Sequence, residues 1–88
     1  MERRINVLGA INEANNNNFK NDNPLFYTLF SLSKAISEKT SINKTNIYYN
    51  LKRWSEEKTT FNPNNNNTKK ILDAFFEILN VNKENYIF

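Results

Sequence analysis

The sequence predicts an all-α fold, a compact bundle of four to six helices forming one domain. Three observations predict it. Apolar side chains recur at helical spacing in several separate segments. One Gly and two Pro in 88 residues are too few for an all-β fold, whose tight turns need Gly at positive φ. Residues that cap helices, Asn above all, stand next to the apolar segments. A chain of this length buries roughly 60–65% of its unfolded surface, enough for one modest core. Neither an internal repeat nor a second domain is visible.

The first helix is expected from residue 2 to about 15, where Ile5, Leu8 and Ile11, with Val7 and Ala14, form an apolar stripe. The tract "NNNN" at 15–18 is expected to end it, because Asn favours caps and left-handed positions over helix interiors. In "DNPLF", Asn23 is placed to cap and Pro24 suits the first helical position. Leu25, Leu29, Leu32 and Ile36 then recur at helical spacing, joined by Phe26 and Phe30. Either one helix continues to Lys39, or Ser31 or Ser33 caps a fresh one.

"TSIN" interrupts that pattern. Asn43 is a good cap for the next helix, and Ile42 lies five positions before Ile47, the spacing of a hydrophobic staple. This helix is expected to reach about Lys58. "TTFNPNNNN" reads as a loop, broken by Pro63 and the second Asn tract. A last long helix over 69–79, capped by Asn67 or Thr68, carries Ile71, Leu72, Ala74, Phe75, Phe76, Ile78 and Leu79. Its apolar face is too wide for a surface helix, which makes it the central one. Asn80 suits its stop, with Val81 folding back. "NKENYIF" reads as a short helical turn whose Tyr86, Ile87 and Phe88 close the core.

Composition narrows function. The chain has no Cys and no His, which excludes disulfides, thiolate–zinc sites, nucleophilic Cys and imidazole acid–base chemistry. The single glycine, Gly9, cannot form a phosphate-cradling loop. The nine carboxylates include no spaced pair in an apolar setting that would mark a tuned acid and base. Neither an enzyme nor a metal or cofactor site is expected. No apolar run approaches the ~18 residues of a membrane span, and "MERRINVLGAINEANN" is neither a signal peptide nor an anchor, so a cytoplasmic chain is expected. The nineteen Asn, accompanied by Ile and Lys rather than Val and Arg, fit an AT-rich coding sequence better than a prion-like segment.

The net charge of +3 is unevenly placed. Basic and acidic side chains cancel over 1–33 and again over 59–88, so the whole surplus falls within 34–58. From Lys44 to Trp54 there are three cations and no acid. On a helical wheel of 100° per residue, Ile47, Leu51 and Trp54 fall within about 60° and form a core stripe. Lys44, Thr45, Tyr48, Tyr49 and Lys52 share another arc, with Arg53 just beyond. Such a helix fits the roughly 12 Å major groove of DNA. Lys44, Lys52 and Arg53 would meet phosphates; Thr45, Tyr48 and Tyr49 would read base edges. A solvated face is the alternative for these charges. Arg3 and Arg4 fit a solvated first turn better than an arm reaching a second groove.

"ISEKTSINKTNIYYNLKRW" resembles the helix-turn-helix of Cro/C1-type bacterial, phage and plasmid regulators. Ile36 and Ser37 take the hydrophobic–small pair of that pattern, Ile42 and Ile47 the later hydrophobic pair, and Leu51 closes the second helix. Ser41 stands where the family usually has Gly, at a position that often needs positive φ. "ILDAFFEILNVN" after Pro63 is similar to the family's closing helices, whereas 24–33 looks like an addition. The resemblance implies sequence-specific binding of double-stranded DNA and transcription regulation, with Asn43, Lys44, Thr45, Tyr48, Tyr49 and Lys52 facing the groove. It also implies a homodimer on two half-sites, joined through the aromatic C-terminus or 24–33.

The rival reading is a protein-binding module, such as a phage inhibitor of a host defence system (anti-CRISPR-like), built on the same bundle. Phe19, Phe26, Tyr27 and Phe61 would then be exposed anchors for a protein partner. Their burial discriminates: buried, they favour the regulator; grouped on the surface beside a neutral arc, they favour the rival.

Overall fold

Four α-helices and one short 3₁₀ turn make up the described part of the computed structural model, which covers residues 3–56 and 60–88. They are α1 (Val7–Lys20), α2 (Leu29–Thr40), α3 (Lys44–Trp54) and α4 (Asn66–Leu79), with the 3₁₀ turn at Lys83–Asn85. Asparagine supplies most of the starts. Asn6, Asn43, Asn65 and Asn82 accept from the backbone N–H of Gly9, Thr45, Thr68 and Glu84 at 2.8–3.1 Å. Each satisfies a donor that the first helical turn leaves unpaired.

α4 buries the widest apolar face, as its sequence predicts, but shares the centre with α2, which packs against both α3 and α4. Ile71, Leu72, Ala74, Phe75, Phe76 and Leu79 are buried, and α2 and α1 pack against α4. Asn80 ends it at φ 55°, a left-handed residue whose N–H returns to Phe76 O. The helix begins earlier than expected, at Asn66 rather than 69, because Asn65 rather than Asn67 or Thr68 is the cap.

α1 departs most from expectation. Residues 3–6 are extended: Arg3 pairs with Phe61 and Ile5 with Ile87 as antiparallel bridges. Arg3 and Arg4 are therefore not in a helical turn, and the Arg3 Nε donates to Phe88 O at 3.4 Å. The buried stripe is Val7, Ala10, Ile11 and Ala14, which leaves Leu8 exposed. The tract 15–18 lies inside the helix instead of ending it. Its side chains explain why. Asn15 accepts from Tyr27 N at 2.7 Å and donates to Tyr27 O at 3.0 Å, and the Asn18 amide donates to Leu25 O at 3.2 Å. Residues three apart on the helix thus meet residues two apart on an extended segment, and these tertiary bonds outweigh the weak helix propensity of Asn.

That extended segment, 23–28, replaces the helix start expected at Asn23 and Pro24; Asn23 instead accepts from Leu25 N. α2 is neither the single long helix nor the one capped by Ser31 or Ser33. Thr28 caps it in a reciprocal capping box with Ser31. Leu32 and Ile36 are buried. α3 ends at Trp54, where the Ser55 N–H returns to Leu51 O; the expected end at Lys58 lies outside the described residues. At the far end Tyr86 and Ile87 are half-buried against the core, but the Phe88 ring is exposed rather than closing it. No described helix is long and apolar enough to cross a membrane.

Candidate nucleic-acid interface

Three residues, Ser41, Ile42 and Asn43, join α2 to α3. Ser41 takes the left-handed conformation, φ 63°, and its N–H returns to Ser37 O at 2.8 Å. Side chains from the last turn of α2 hold Ile42 in place. The Ser37 hydroxyl donates to Ile42 O at 2.6 Å, and Thr40 Oγ1 accepts from Ile42 N at 3.2 Å while donating to Ile36 O. Ile42 packs against the core and Ile47 is fully buried, as the staple spacing predicts. The connection is fixed through side chain and backbone together, and it sets the direction in which α3 leaves.

α3 divides into two faces. Ile47, Leu51 and Trp54 are buried, with the Trp54 ring 5.8 Å from Phe61. Asn43, Lys44, Thr45, Tyr49, Lys52 and Arg53 are exposed, and Tyr48 is half-buried. Six of the seven sequence-predicted site residues therefore lie along α3 outside its buried stripe, and the seventh, Asn43, caps its start. Their availability differs. The side-chain carbonyl of Asn43 caps the helix by accepting from Thr45 N at 2.8 Å. The Arg53 guanidinium donates to Asn50 Oδ1 at 2.8 Å. The Tyr48 and Tyr49 rings meet edge to face at 5.9 Å. Among the described residues no carboxylate pairs with Lys44, Lys52 or Arg53; the ion pair shown is Lys39–Glu77 at 3.1 Å, between exposed groups.

Phe30 is the neighbour that sequence reasoning missed. With Ser33 of α2 it lines a hollow of about 200 Å³ against Lys44, Thr45, Tyr48 and Tyr49. A signal was present: Phe30 lies well off the Leu29, Leu32 and Ile36 stripe on a helical wheel, so a helix burying that stripe turns Phe30 outward. Of the four discriminating aromatics, Phe61 is buried and Tyr27 half-buried, whereas Phe19 and Phe26 are exposed. The exposed arc of α3 is cationic, not neutral. No cluster of potential metal ligands occurs among the described residues.

No protein-family model, curated protein or solved structure matches this chain.

Proposed function

We propose that the protein binds double-stranded DNA in a sequence-specific manner, as a small helix-turn-helix regulator of phage or plasmid type. One observation carries the reading: α3 anchors one side in the core and turns Lys44, Thr45, Tyr49, Lys52 and Arg53 to solvent, with no acid on the helix to neutralise them. A helix about 10–12 Å across with its side chains enters the major groove, where hydroxyls and phenols meet base edges. Lys44, Lys52 and Arg53 then neutralise phosphates flanking the groove. The half-buried Tyr48 lines one hollow with Phe30 and is less available to a groove than the exposed Tyr49.

Titration of duplex DNA at several salt concentrations tests the reading. Affinity falls with salt by about −0.9 in the log–log slope per neutralised phosphate, so Lys44→Ala and Lys52→Ala each flatten the slope by about one unit. Thr45→Ala and Tyr49→Ala instead narrow the gap between preferred and random duplexes. Absence of duplex binding at low salt removes the proposal. A protein partner is the second reading, favoured by the exposed Phe19 and Phe26. It accounts for that surface and leaves the cations of α3 without a role.

A further inference from the structure

We infer that the hollow walled by Arg3, Phe61, α4 and the 3₁₀ turn binds a small aromatic carboxylate. Its volume is about 420 Å³, within the roughly 300–1,000 Å³ that small-molecule sites occupy. Phe61, Leu72 and Phe76 are buried by the fold and, with the half-buried Ile87, supply its apolar lining. The walls come from stretches far apart in the chain, and backbone pairing holds them together. Arg3 N donates to Phe61 O at 2.9 Å, Phe61 N to Arg3 O at 2.7 Å, and Asn6 N to Tyr86 O at 2.7 Å. A hollow fixed in this way has its shape before a ligand arrives, so docking orders little backbone. No residue of α3 lines it, which sets the site apart from the proposed DNA-binding helix.

Charge selects the ligand. Arg3, Lys69 and Lys83 line the hollow together with Asp73 and Glu84, three cations to two acids. Among the described residues none of the five forms an ion pair with another; the pair shown is Lys39–Glu77. The Arg3 Nε donates to the Phe88 backbone carbonyl rather than to a carboxylate. Surplus cations beside an apolar lining match one molecule that carries an acidic group on an apolar body. An aromatic ring covers Phe61, Leu72 and Phe76 while its carboxylate meets the guanidinium and ammonium groups. Inorganic phosphate would leave the apolar lining uncovered, and an uncharged ring would leave the cations unmatched. Asp73 and Glu84 repel a second negative charge, which favours a monoanion over a dianion.

Titration of the full chain with cinnamate, followed through backbone amide shifts in heteronuclear NMR spectra, tests the inference. Cinnamamide serves as the uncharged probe of the same shape. Saturable shifts are expected at Arg3, Phe61, Leu72, Phe76 and Ile87. Cinnamate should bind about fivefold more tightly than cinnamamide, the scale of an exposed ion pair. Lys69→Glu and Lys83→Glu each turn the surplus negative and should abolish that preference, while cinnamamide binds as it does to the parent. Both side chains are exposed, so the free variants should melt as the parent does. Lys34→Glu, exposed on α2 and outside the lining, should keep the preference. Absence of saturable shifts, or shifts gathered at Phe19 and Phe26 instead, overturns the inference. So does equal affinity for the two probes, a preference that survives both lining substitutions, or one lost equally in Lys34→Glu. Nucleic acid takes no part in the measurement, so its failure leaves the duplex titration untouched.

Discussion

Lys44 occupies the first position of α3, where unpaired N–H groups concentrate partial positive charge and a cation is disfavoured. A residue placed against the local rule marks a position kept for something other than stability. Lys44→Glu should therefore stabilise the fold by about 0.5–1 kcal/mol, read from urea unfolding, and abolish duplex binding. A less stable variant, or one that still binds, defeats this account. Ser41 carries a second local cost, since a left-handed L-residue is disfavoured by roughly 1–2 kcal/mol. Glycine relieves that strain but frees the unfolded chain, so Ser41→Gly should gain about 0.5–1 kcal/mol net. Destabilisation would mean that the Ser41 side chain holds the turn. The start of α3 was legible in the sequence because the cap chemistry of Asn43 is local, whereas the left-handed Ser41 was expected only from the resemblance to a helix-turn-helix. The start of α4 was not legible: within "NNNN" every residue is able to cap, and Asn65 is chosen by where the apolar face of α4 must begin.

At the scale of elements, α3 was legible with its cap, its core stripe and its exposed arc, because one short amphipathic helix carries its own periodicity. α1 and α2 were not, where tertiary hydrogen bonds decide the outcome. The tract 15–18 is a poor helix former in isolation; it stays helical because Asn15 and Asn18 clamp the extended chain at Leu25 and Tyr27. Two neighbouring substitutions separate propensity from clamping. Asn16 is exposed, so Asn16→Ala should stabilise by roughly 0.5 kcal/mol through propensity alone. Asn15→Ala gains the same term but strands the N–H and C=O of half-buried Tyr27, at about 1–3 kcal/mol. Its net effect should be a loss of about 1–2 kcal/mol, measured as a shift in the urea midpoint. Stabilisation by both substitutions would show that the clamp contributes nothing. Leu25 and Phe26 remain exposed because that clamp holds their backbone against α1 while turning Tyr27, not them, inward.

Across the whole molecule, residues 3–6 lie between Phe61 and the segment 86–88, tied by Arg3 N to Phe61 O at 2.9 Å and Asn6 N to Tyr86 O at 2.7 Å. No helical periodicity announces such pairing, which is why these bridges were invisible in the sequence. The same closure brings the Tyr86 hydroxyl to the Glu13 carboxylate, 73 positions away in the chain. That hydrogen bond, assisted by burial and by the Glu13 charge, raises the Tyr86 pKa above its ordinary value of 10.0. The folded state thus holds the phenolic proton more tightly than the unfolded chain does. The contribution is complete below about pH 10 and is lost as pH rises through the higher folded pKa. Unfolding the parent and Tyr86→Phe in urea at a series of pH values isolates this pair from the other tyrosines. The parent should exceed the variant by a constant margin at neutral and mildly alkaline pH, and the margin should shrink once pH passes 10. A margin that stays constant through that range would show that the Glu13–Tyr86 bond does not join the two ends of the fold in solution.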